Sequence, residues 1–155
     1  LLEVQALVTP SNYGYPQRVS NGFDQRRLSI LLAVIEKRAN VRVSATNVFV
    51  NIAGGIRITE PAADLAVCVA IASSLTEKVV DNQAIILGEV GLGGEIRSVG
   101  HIDKRIQEAE KLGFQHAIIP TGNRKELKSS GNISIESVEN LDQVVKNLIK
   151  IPSRS

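Results

Sequence analysis

The chain has 155 residues, of which 43% are hydrophobic, and a formal net charge of +2 at pH 7. That size fits one domain with one substantial core, so we expect a single domain over residues 1–150 and a tail at residues 151–155. The small net charge does not indicate an extended basic surface, but it allows a local basic patch. No stretch approaches the roughly 20 apolar residues of a membrane span and no signal segment opens the chain, so we expect a cytoplasmic protein without a membrane partner.

The first predicted elements are a strand and an amphipathic helix. Residues 2–8 are rich in residues that favour extended backbone, and residues 10–16 are punctuated by Pro and Gly like a loop. Asp24 can cap a helix over residues 24–39. Within it, apolar residues recur at helical spacing at Leu28, Leu31, Leu32 and Ile35.

A second strand and a buried helix follow. Val48, Val50 and Ile52 alternate as on one face of a strand, the Gly54-Gly55 pair permits a bulge or bend, and residues 56–58 resume extended character. Residues 61–75 carry one charge, Asp64, and are apolar nearly all round, which predicts a helix at the centre of the domain. Thr59 or Glu60 suits its N-terminus, because Pro61 loses nothing at a first helical position.

The second half predicts a hairpin and then alternating helices and strands. Residues 84–87 and 95–99 are predicted to be strands joined through the glycine-rich turn at residues 88–94. Ile102, Ile106 and Ala109 predict a helix that ends at Gly113. We expect short strands at residues 116–120 and 133–135, and a last helix marked by Leu141, Val144, Val145 and Leu148. The elements sum to a mixed α/β domain of about four helices and six or more strands.

The common signatures of catalytic and cofactor sites are missing. No phosphate-binding loop is present, and the glycines at residues 91–94 lack the lysine and helix that such a loop needs, so we predict a plain turn. His101, His116 and the one cysteine, Cys68, are too few for a zinc site with three or four ligands. We therefore expect no metal and no cofactor in this chain, and His101 is predicted to mark a helix start.

The middle of the chain resembles the Lon protease domain element by element. The resemblance rests on Thr-Glu-Pro-Ala-Ala-Asp at residues 59–64, on Gly-Glu-Val-Gly-Leu-Gly-Gly-Glu-Ile-Arg at residues 88–97 and on the segments that follow, and it covers residues 47–127. It implies a Lon protease-like fold, which is ribosomal protein S5 domain 2-like, of class α/β (α+β) with mixed sheets. In that family a serine nucleophile between proline and alanine begins the buried helix, and its lysine partner lies where the chain enters the helix after the hairpin.

Both positions of this Ser-Lys dyad hold residues that cannot do the chemistry. The resemblance puts Ala62 at the serine position and Asp103 at the lysine position. A methyl group cannot attack a carbonyl, and an aspartate cannot act as the neutral amine base. A shift of one residue would put Lys104 at the second position and still leave no nucleophile. Ser73 and Ser74 lie about 16 Å from Ala62 along the same helix, so we expect this domain not to be an enzyme.

The first half indicates which Lon-like family the chain resembles. Leu-Glu-Val-Gln-Ala-Leu-Val at residues 2–8, Asn-Gly-Phe-Asp-Gln-Arg-Arg-Leu at residues 21–28 and Val-Asn-Ile-Ala-Gly-Gly-Ile-Arg at residues 50–57 are similar to the C-terminal domain of the RadA (Sms) family. Methionine is absent, as we expect for the C-terminal piece of a longer protein.

The resemblance carries implications for the parent protein and for this part of it. In the RadA family a zinc finger and a RecA-like ATPase precede this domain, and the protein forms hexameric rings, binds DNA and promotes branch migration in homologous recombination. ATP, Mg and Zn, and the activity of a DNA-dependent ATPase or helicase, are thus implied only for the parent. The implied share of this domain is self-assembly into a homo-hexamer and contact with single-stranded or branched DNA, with a RecA-type recombinase as a further partner.

The best candidate for a DNA-contacting patch lies on the first helix and just after it. Five cations against Asp24 and Glu36 give this region a local charge of +3. Cations on one face would neutralise backbone phosphates without reading sequence. A solvated helix face or a subunit contact would explain the same charges, and both stay open. The five candidate residues are Arg26, Arg27, Lys37, Arg38 and Arg42.

Two other interpretations fit parts of the sequence. One is an atypical Ser-Lys peptidase of the Lon family with relocated residues. The other is the Lon-like domain of a magnesium-chelatase-related ATPase, for which we would expect Pro-Ala-Asp-Leu followed by a lysine before the buried helix. The Glu-Pro-Ala-Ala-Asp at residues 60–64 favours the RadA family instead. Structural roles are predicted for four acids: Glu60, Asp64, Glu89 and Glu95.

Overall fold

The computed structural model describes residues 2–12, 14–54, 60–128 and 131–150, with side chains through residue 147. This part of the chain contains eight strands, five α-helices and one short 3-10 helix at Pro61–Ala63. The strands are β1 (Val4–Pro10), β2 (Arg18–Asn21), β3 (Thr46–Ile52), β4 (Ala84–Ile86), β5 (Glu89–Val90), β6 (Ile96–Arg97), β7 (His116–Pro120) and β8 (Ser134–Val138). The helices are α1 (Gln25–Arg38), α2 (Asp64–Thr76), α3 (Ile102–Lys111), α4 (Thr121–Arg124) and α5 (Leu141–Lys150).

The first sheet has the strand order β1-β3-β2, with β1 antiparallel and β2 parallel to the central strand. The alternation predicted for β3 is confirmed, since Val48, Val50 and Ile52 are buried on the inner face. The first predicted strand is also confirmed and runs on through Pro10. The strand β2 was not predicted.

The helices α1 and α2 pack on the inner face of this sheet. Asp24 is the N-cap of α1, as predicted, and accepts a hydrogen bond from Arg27 N at 2.9 Å. The buried helix begins with the 3-10 turn and continues as α2, where Leu65, Val67 and Cys68 are fully buried. Glu60 precedes the turn without a side-chain capping bond. Thr59, Gly55 and the predicted extended segment at residues 56–58 lie outside the described residues.

The predicted hairpin between residues 84–87 and 95–99 is wrong in its partners. The strand β4 pairs in parallel with β7, which pairs in parallel with β8, and the hairpin is instead β5 with β6. The chain leaves the second sheet at Gly88, whose N–H donates to Ala62 O and whose carbonyl accepts from Leu65 N, both at 3.0 Å. These bonds attach the segment that leads into β5 to the start of α2. As a result, β4 and β6 lie in different sheets and do not pair.

The remaining elements follow the sequence pattern. His101 is the N-cap of α3 with φ +59°, and Gly113 follows that helix with φ +93°, as its predicted C-terminal position requires. The strand β7 and the helix α5 are confirmed. The strand predicted at residues 133–135 exists as β8, which begins at Ser134 and runs on to Val138, and the short α4 was not predicted. Two apolar clusters result, one between the first sheet and α1, α2 and α5, and one between the second sheet and α3. Every helix within the described residues is too short or too polar to span a bilayer.

Candidate functional site

Ala62, which the resemblance puts at the serine position of the dyad, lies inside the apolar core. Ala62 is 5% exposed and belongs to the second cluster, which also contains Ile102 and Ile106 of α3. Its carbonyl accepts the Gly88 N–H, so its backbone is also engaged. The methyl group therefore stabilises the packing of the 3-10 helix against its neighbours.

Asp103, which the resemblance puts at the lysine position, makes a structural contact. Asp103 lies in the first turn of α3, and its Oδ1 accepts a hydrogen bond from Lys128 N at 3.2 Å. Two residues further on, Arg105 donates through Nε to Gly100 O at 2.7 Å and forms an ion pair with Glu60. The Glu60–Arg105 ion pair thus joins the segment that contains Ala62 to the segment that contains Asp103.

The serines of the buried helix are held in hydrogen bonds to the backbone. Ser73 Oγ donates to Lys78 O, and Ser74 Oγ accepts from Val8 N at 2.9 Å. Ser73 thereby helps to end α2, while Ser74 attaches this helix to β1. Neither hydroxyl is paired with a basic side chain in these bonds, so neither has the activated geometry of a nucleophile.

The single charge of the buried helix has a cationic partner on α1. The Asp64 carboxylate is 1% exposed and accepts hydrogen bonds from Arg27 Nε at 3.1 Å, from Arg27 Nη2 and from Val90 N at 3.1 Å. Arg27 Nη2 also donates to Val90 O at 3.0 Å. Hydrogen bonding to Asp64 raises the pKa of Arg27 above its usual value. This ion pair fixes β5 against both helices, which confirms the structural role predicted for Asp64.

The five basic residues proposed for DNA contact divide into two groups. At about 100° per residue, Arg27 and Arg38 lie on one side of α1, whereas Arg26 and Lys37 lie on another. Arg38 Nε donates to Leu92 O at 3.3 Å, so both arginines of the first group contact the β5–β6 hairpin. Arg26 and Lys37 are exposed, as are Arg38 and, in the loop after the helix, Arg42, whereas the Arg27 side chain is 30% exposed.

The two acids of this region are bonded to backbone N–H groups. Asp24 caps α1, and Glu36 Oε1 accepts from Val43 N at 3.0 Å and from Ser44 N at 2.9 Å. These two bonds lower the pKa of Glu36. The carboxylates therefore shape the ends of the helix, and the cations Arg26 and Lys37 make the outward face basic. Ile30, which is 40% exposed, lies between these two cations.

The comparison with known proteins identifies the family. Residues 32–151 match the Lon protease (S16) C-terminal proteolytic domain. The chain belongs to this Lon domain family. The fold class predicted from the sequence is thereby confirmed.

Curated relatives place this Lon-like domain near the RadA proteins. It is 44% identical over 151 residues to the DNA repair protein RadA of Chlamydia pneumoniae, covering 96% of this chain and 33% of that protein. It is 54% identical over 120 residues to RadA of Aquifex aeolicus, covering 77% and 27%, and 38% identical over 146 residues to RadA of Bacillus subtilis, covering 94% and 32%. The predicted resemblance to the RadA Lon-like domain is confirmed, and the chain spans about a third or less of the length of these relatives.

The two ion pairs that join distant segments of this Lon-like domain could be predicted only in part from its sequence. The partners Arg27 and Asp64 lie far apart in sequence, as do Glu60 and Arg105, so no local pattern links them. One signal was available, because a lone charge within an apolar run must find a cation when it is buried. Among the described residues no group of three or more His, Cys, Asp or Glu side chains could hold a metal ion.

Proposed function

We propose that this Lon-like domain is a non-proteolytic module of a RadA-type DNA-repair protein, and that it contributes DNA contact and self-assembly. The observation that carries the DNA part is the exposed pair Arg26 and Lys37 on α1. The neighbouring acids are bonded to backbone, and the other two arginines of the helix contact the hairpin.

The loss of proteolysis follows from the chemistry of the dyad positions. Ala62 offers no lone pair, and the packing of its methyl group leaves it 5% exposed. Asp103 cannot serve as an amine base, and the serines of α2 are bonded to backbone groups. We expect the purified chain to leave casein and fluorogenic peptides uncut. Cleavage above the buffer blank that persists after re-purification would favour the rival peptidase.

DNA contact is proposed for the outward row of α1 rather than for all five basic residues. Arg26 and Lys37 are 11 positions apart, which corresponds to about 16 Å along a helix. Cations at that spacing can neutralise separate phosphates of one strand, and such contacts depend on charge and not on base sequence. Arg42 extends the row beyond the helix end.

Fluorescence anisotropy with a labelled single-stranded oligonucleotide at low salt tests this assignment. The variant pair Arg26→Ala with Lys37→Ala should weaken binding by roughly tenfold, because two phosphate contacts are lost. Lys104→Ala with Lys111→Ala is the matched control, since both lysines are exposed on α3 and the charge change is the same. Equal weakening by both pairs would mean that only net charge matters and would contradict the assignment.

Ring formation, ATP-driven activity and partner proteins are proposed for a longer protein of the RadA type that would contain this domain. There, we propose a homo-hexameric ring, ATP-driven branch migration on branched DNA and cooperation with a RecA-type recombinase, with ATP, Mg and Zn bound outside this chain. Relatives named DNA repair protein RadA support this assignment to DNA repair. Light scattering over a range of concentrations tests whether this domain assembles alone.

A further inference from the structure

Two apolar residues lie between the outward cations of α1. At about 100° per residue, the four positions concerned fall within about 60° of each other around the helix axis, so they form one line along the helix. All four side chains are exposed. A cation lies at each end of the line, and the apolar side chains lie between them. We call this line the α1 row, defined by Arg26, Ile30, Ala33 and Lys37.

The position of Ile30 is more informative than its exposure. Ile30 is 40% exposed, and single apolar side chains of this kind are common on protein surfaces. At 1.5 Å per residue, however, it lies about 6 Å along the helix from Arg26 and about 10.5 Å from Lys37. A nucleic-acid strand whose phosphates contact both cations therefore passes over Ile30.

The helix α1 is too deeply embedded to enter the major groove of a duplex. It packs against β2, α2 and α5 through five buried side chains: Leu28, Leu31, Leu32, Val34 and Ile35. A helix with its side chains is about 10–12 Å wide, so roughly half of that width projects from the domain. The major groove is about 8.5 Å deep. The surrounding elements would meet the duplex backbone before the α1 row reached the base edges.

A single strand can present its bases to the same row. Its bases are not held inside a duplex, so they can turn towards a protein surface while the phosphates contact cations. Apolar side chains contact the faces of bases that have left the stack. Ala33 has the smallest side chain of the α1 row, which leaves room for a flat ring beside Ile30.

We propose that Ile30 contacts a base of a single strand whose phosphates bind Arg26 and Lys37, so that the α1 row prefers single-stranded to double-stranded DNA. This inference rests on the proposed DNA contact of α1, and it adds the form of the DNA and a residue that recognises it. The contact of Ile30 is apolar, so its contribution to affinity does not depend on salt, whereas the contributions of the two cations do.

Fluorescence anisotropy with three labelled ligands tests the inference. The ligands are a single-stranded oligonucleotide, the same strand with abasic sites in place of its nucleosides, and a duplex of the same length. Ile30→Ala should weaken binding of the ordinary strand by about fivefold, because apolar contact is lost. It should leave the slope of log K against log salt concentration unchanged, because no charge is removed. The abasic strand and the duplex should bind the variant and the wild type equally.

Leu112→Ala is the matched control. It truncates another exposed aliphatic side chain, 60% exposed, at the end of α3 rather than on α1, and it should not change the affinity for any of the three ligands. Alanine favours helix formation, so Ile30→Ala should remain folded, which circular dichroism checks. Equal binding of the ordinary strand by the two variants would overturn the inference. So would a loss in Ile30→Ala that is as large on the abasic strand or on the duplex.

The result is separable from that of the proposed DNA contact itself. If Arg26→Ala with Lys37→Ala lowers the salt slope while Ile30→Ala binds like the wild type, the phosphate contacts stand and the base contact is refuted. If that pair leaves the slope unchanged, the proposed DNA contact of α1 is refuted, and the base contact is refuted with it.

Discussion

Replacing Arg27 with alanine should leave a buried carboxylate without its cation. Asp64 is 1% exposed, and in the variant it would keep only the N–H of Val90, at 3.1 Å. Val90 O would also lose the donor that Arg27 supplies at 3.0 Å. The substitution therefore removes the bonds that join α1 to α2 and to the hairpin. It does so although Arg27 lies on a helix that is otherwise rich in surface cations.

The expected loss of stability follows from this geometry. Removing one partner of a buried ion pair costs about 3–5 kcal/mol. The Arg27 side chain is 30% exposed, so water can reach the vacated space, and the lower end of that range applies. For a chain of this size each kcal/mol corresponds to about 2–4 °C in Tm, so a loss of about 3 kcal/mol lowers Tm by about 6–12 °C.

Urea unfolding followed by circular dichroism measures the free energy of unfolding. Arg26→Ala is the control, because Arg26 is the preceding residue, has the same charge and is exposed; it should change stability by no more than about 0.5 kcal/mol. The double variant Arg27→Met with Asp64→Leu should recover part of the loss, since it leaves no buried charge. If Arg27→Ala and Arg26→Ala have equal stabilities, the structural role of Arg27 is refuted.

Three further predictions concern single positions. Gly94→Ala should lower the free energy of unfolding in urea by about 2 kcal/mol, because the φ of Gly94 is +82° and a Cβ there would meet Arg38 Cβ at 2.8 Å. Gly100→Ala is the control and should be nearly neutral, since a Cβ at Gly100 meets nothing within 4 Å. Equal losses in the two variants would contradict this prediction. Ala62→Ser should lower the free energy of unfolding by about 1–3 kcal/mol without creating casein hydrolysis, since it buries a hydroxyl in an apolar cluster; measurable proteolysis would be the contrary result. The pKa of Glu36 is lowered from 4.5, so its stabilisation is present above that pH and is lost as pH falls through the lower native pKa. The stability difference between wild type and Glu36→Gln, measured at pH 7 and again in acid below the native pKa, should therefore shrink in acid, and a constant difference would speak against it.

Elements stabilised by their own local pattern could be predicted from the sequence. The helix α1 has its cap and apolar spacing in one continuous segment, and β3 shows its alternation directly. The strand β2 has only four residues, Arg18–Asn21, and it forms because β3 lies beside it in the fold. The predicted pairing of residues 84–87 with residues 95–99 was wrong for the same reason, because strand pairing depends on segments that lie far apart in the sequence. Nothing local indicates that Leu87 N will bond Ile118 O and draw β4 away from the hairpin.

For the candidate site, too, local sequence features could be predicted and contacts between distant segments could not. The replacement of both dyad residues stays a prediction from the resemblance, which places Ala62 and Asp103 each within a recognisable motif. The different roles of Arg27 and its neighbour Arg26 could not, since the ion pair joins residues 37 positions apart. Charge composition indicated a basic region, and only the packing of α1 against the hairpin separates the cations that bond to the hairpin from those that do not.

The salt dependence of DNA binding tests the proposed function most directly. Each phosphate contact with a single strand contributes about 0.7 to the slope of log K against log salt concentration. We predict that the wild-type chain binds a labelled single-stranded oligonucleotide more weakly as salt rises, and that Arg26→Ala with Lys37→Ala lowers the slope by about 1.4, which is two contacts at about 0.7 each. The control pair on α3 should leave the slope unchanged. Absence of binding at low salt, or an unchanged slope in the Arg26 and Lys37 variant, would contradict the proposal that this face of α1 contacts DNA.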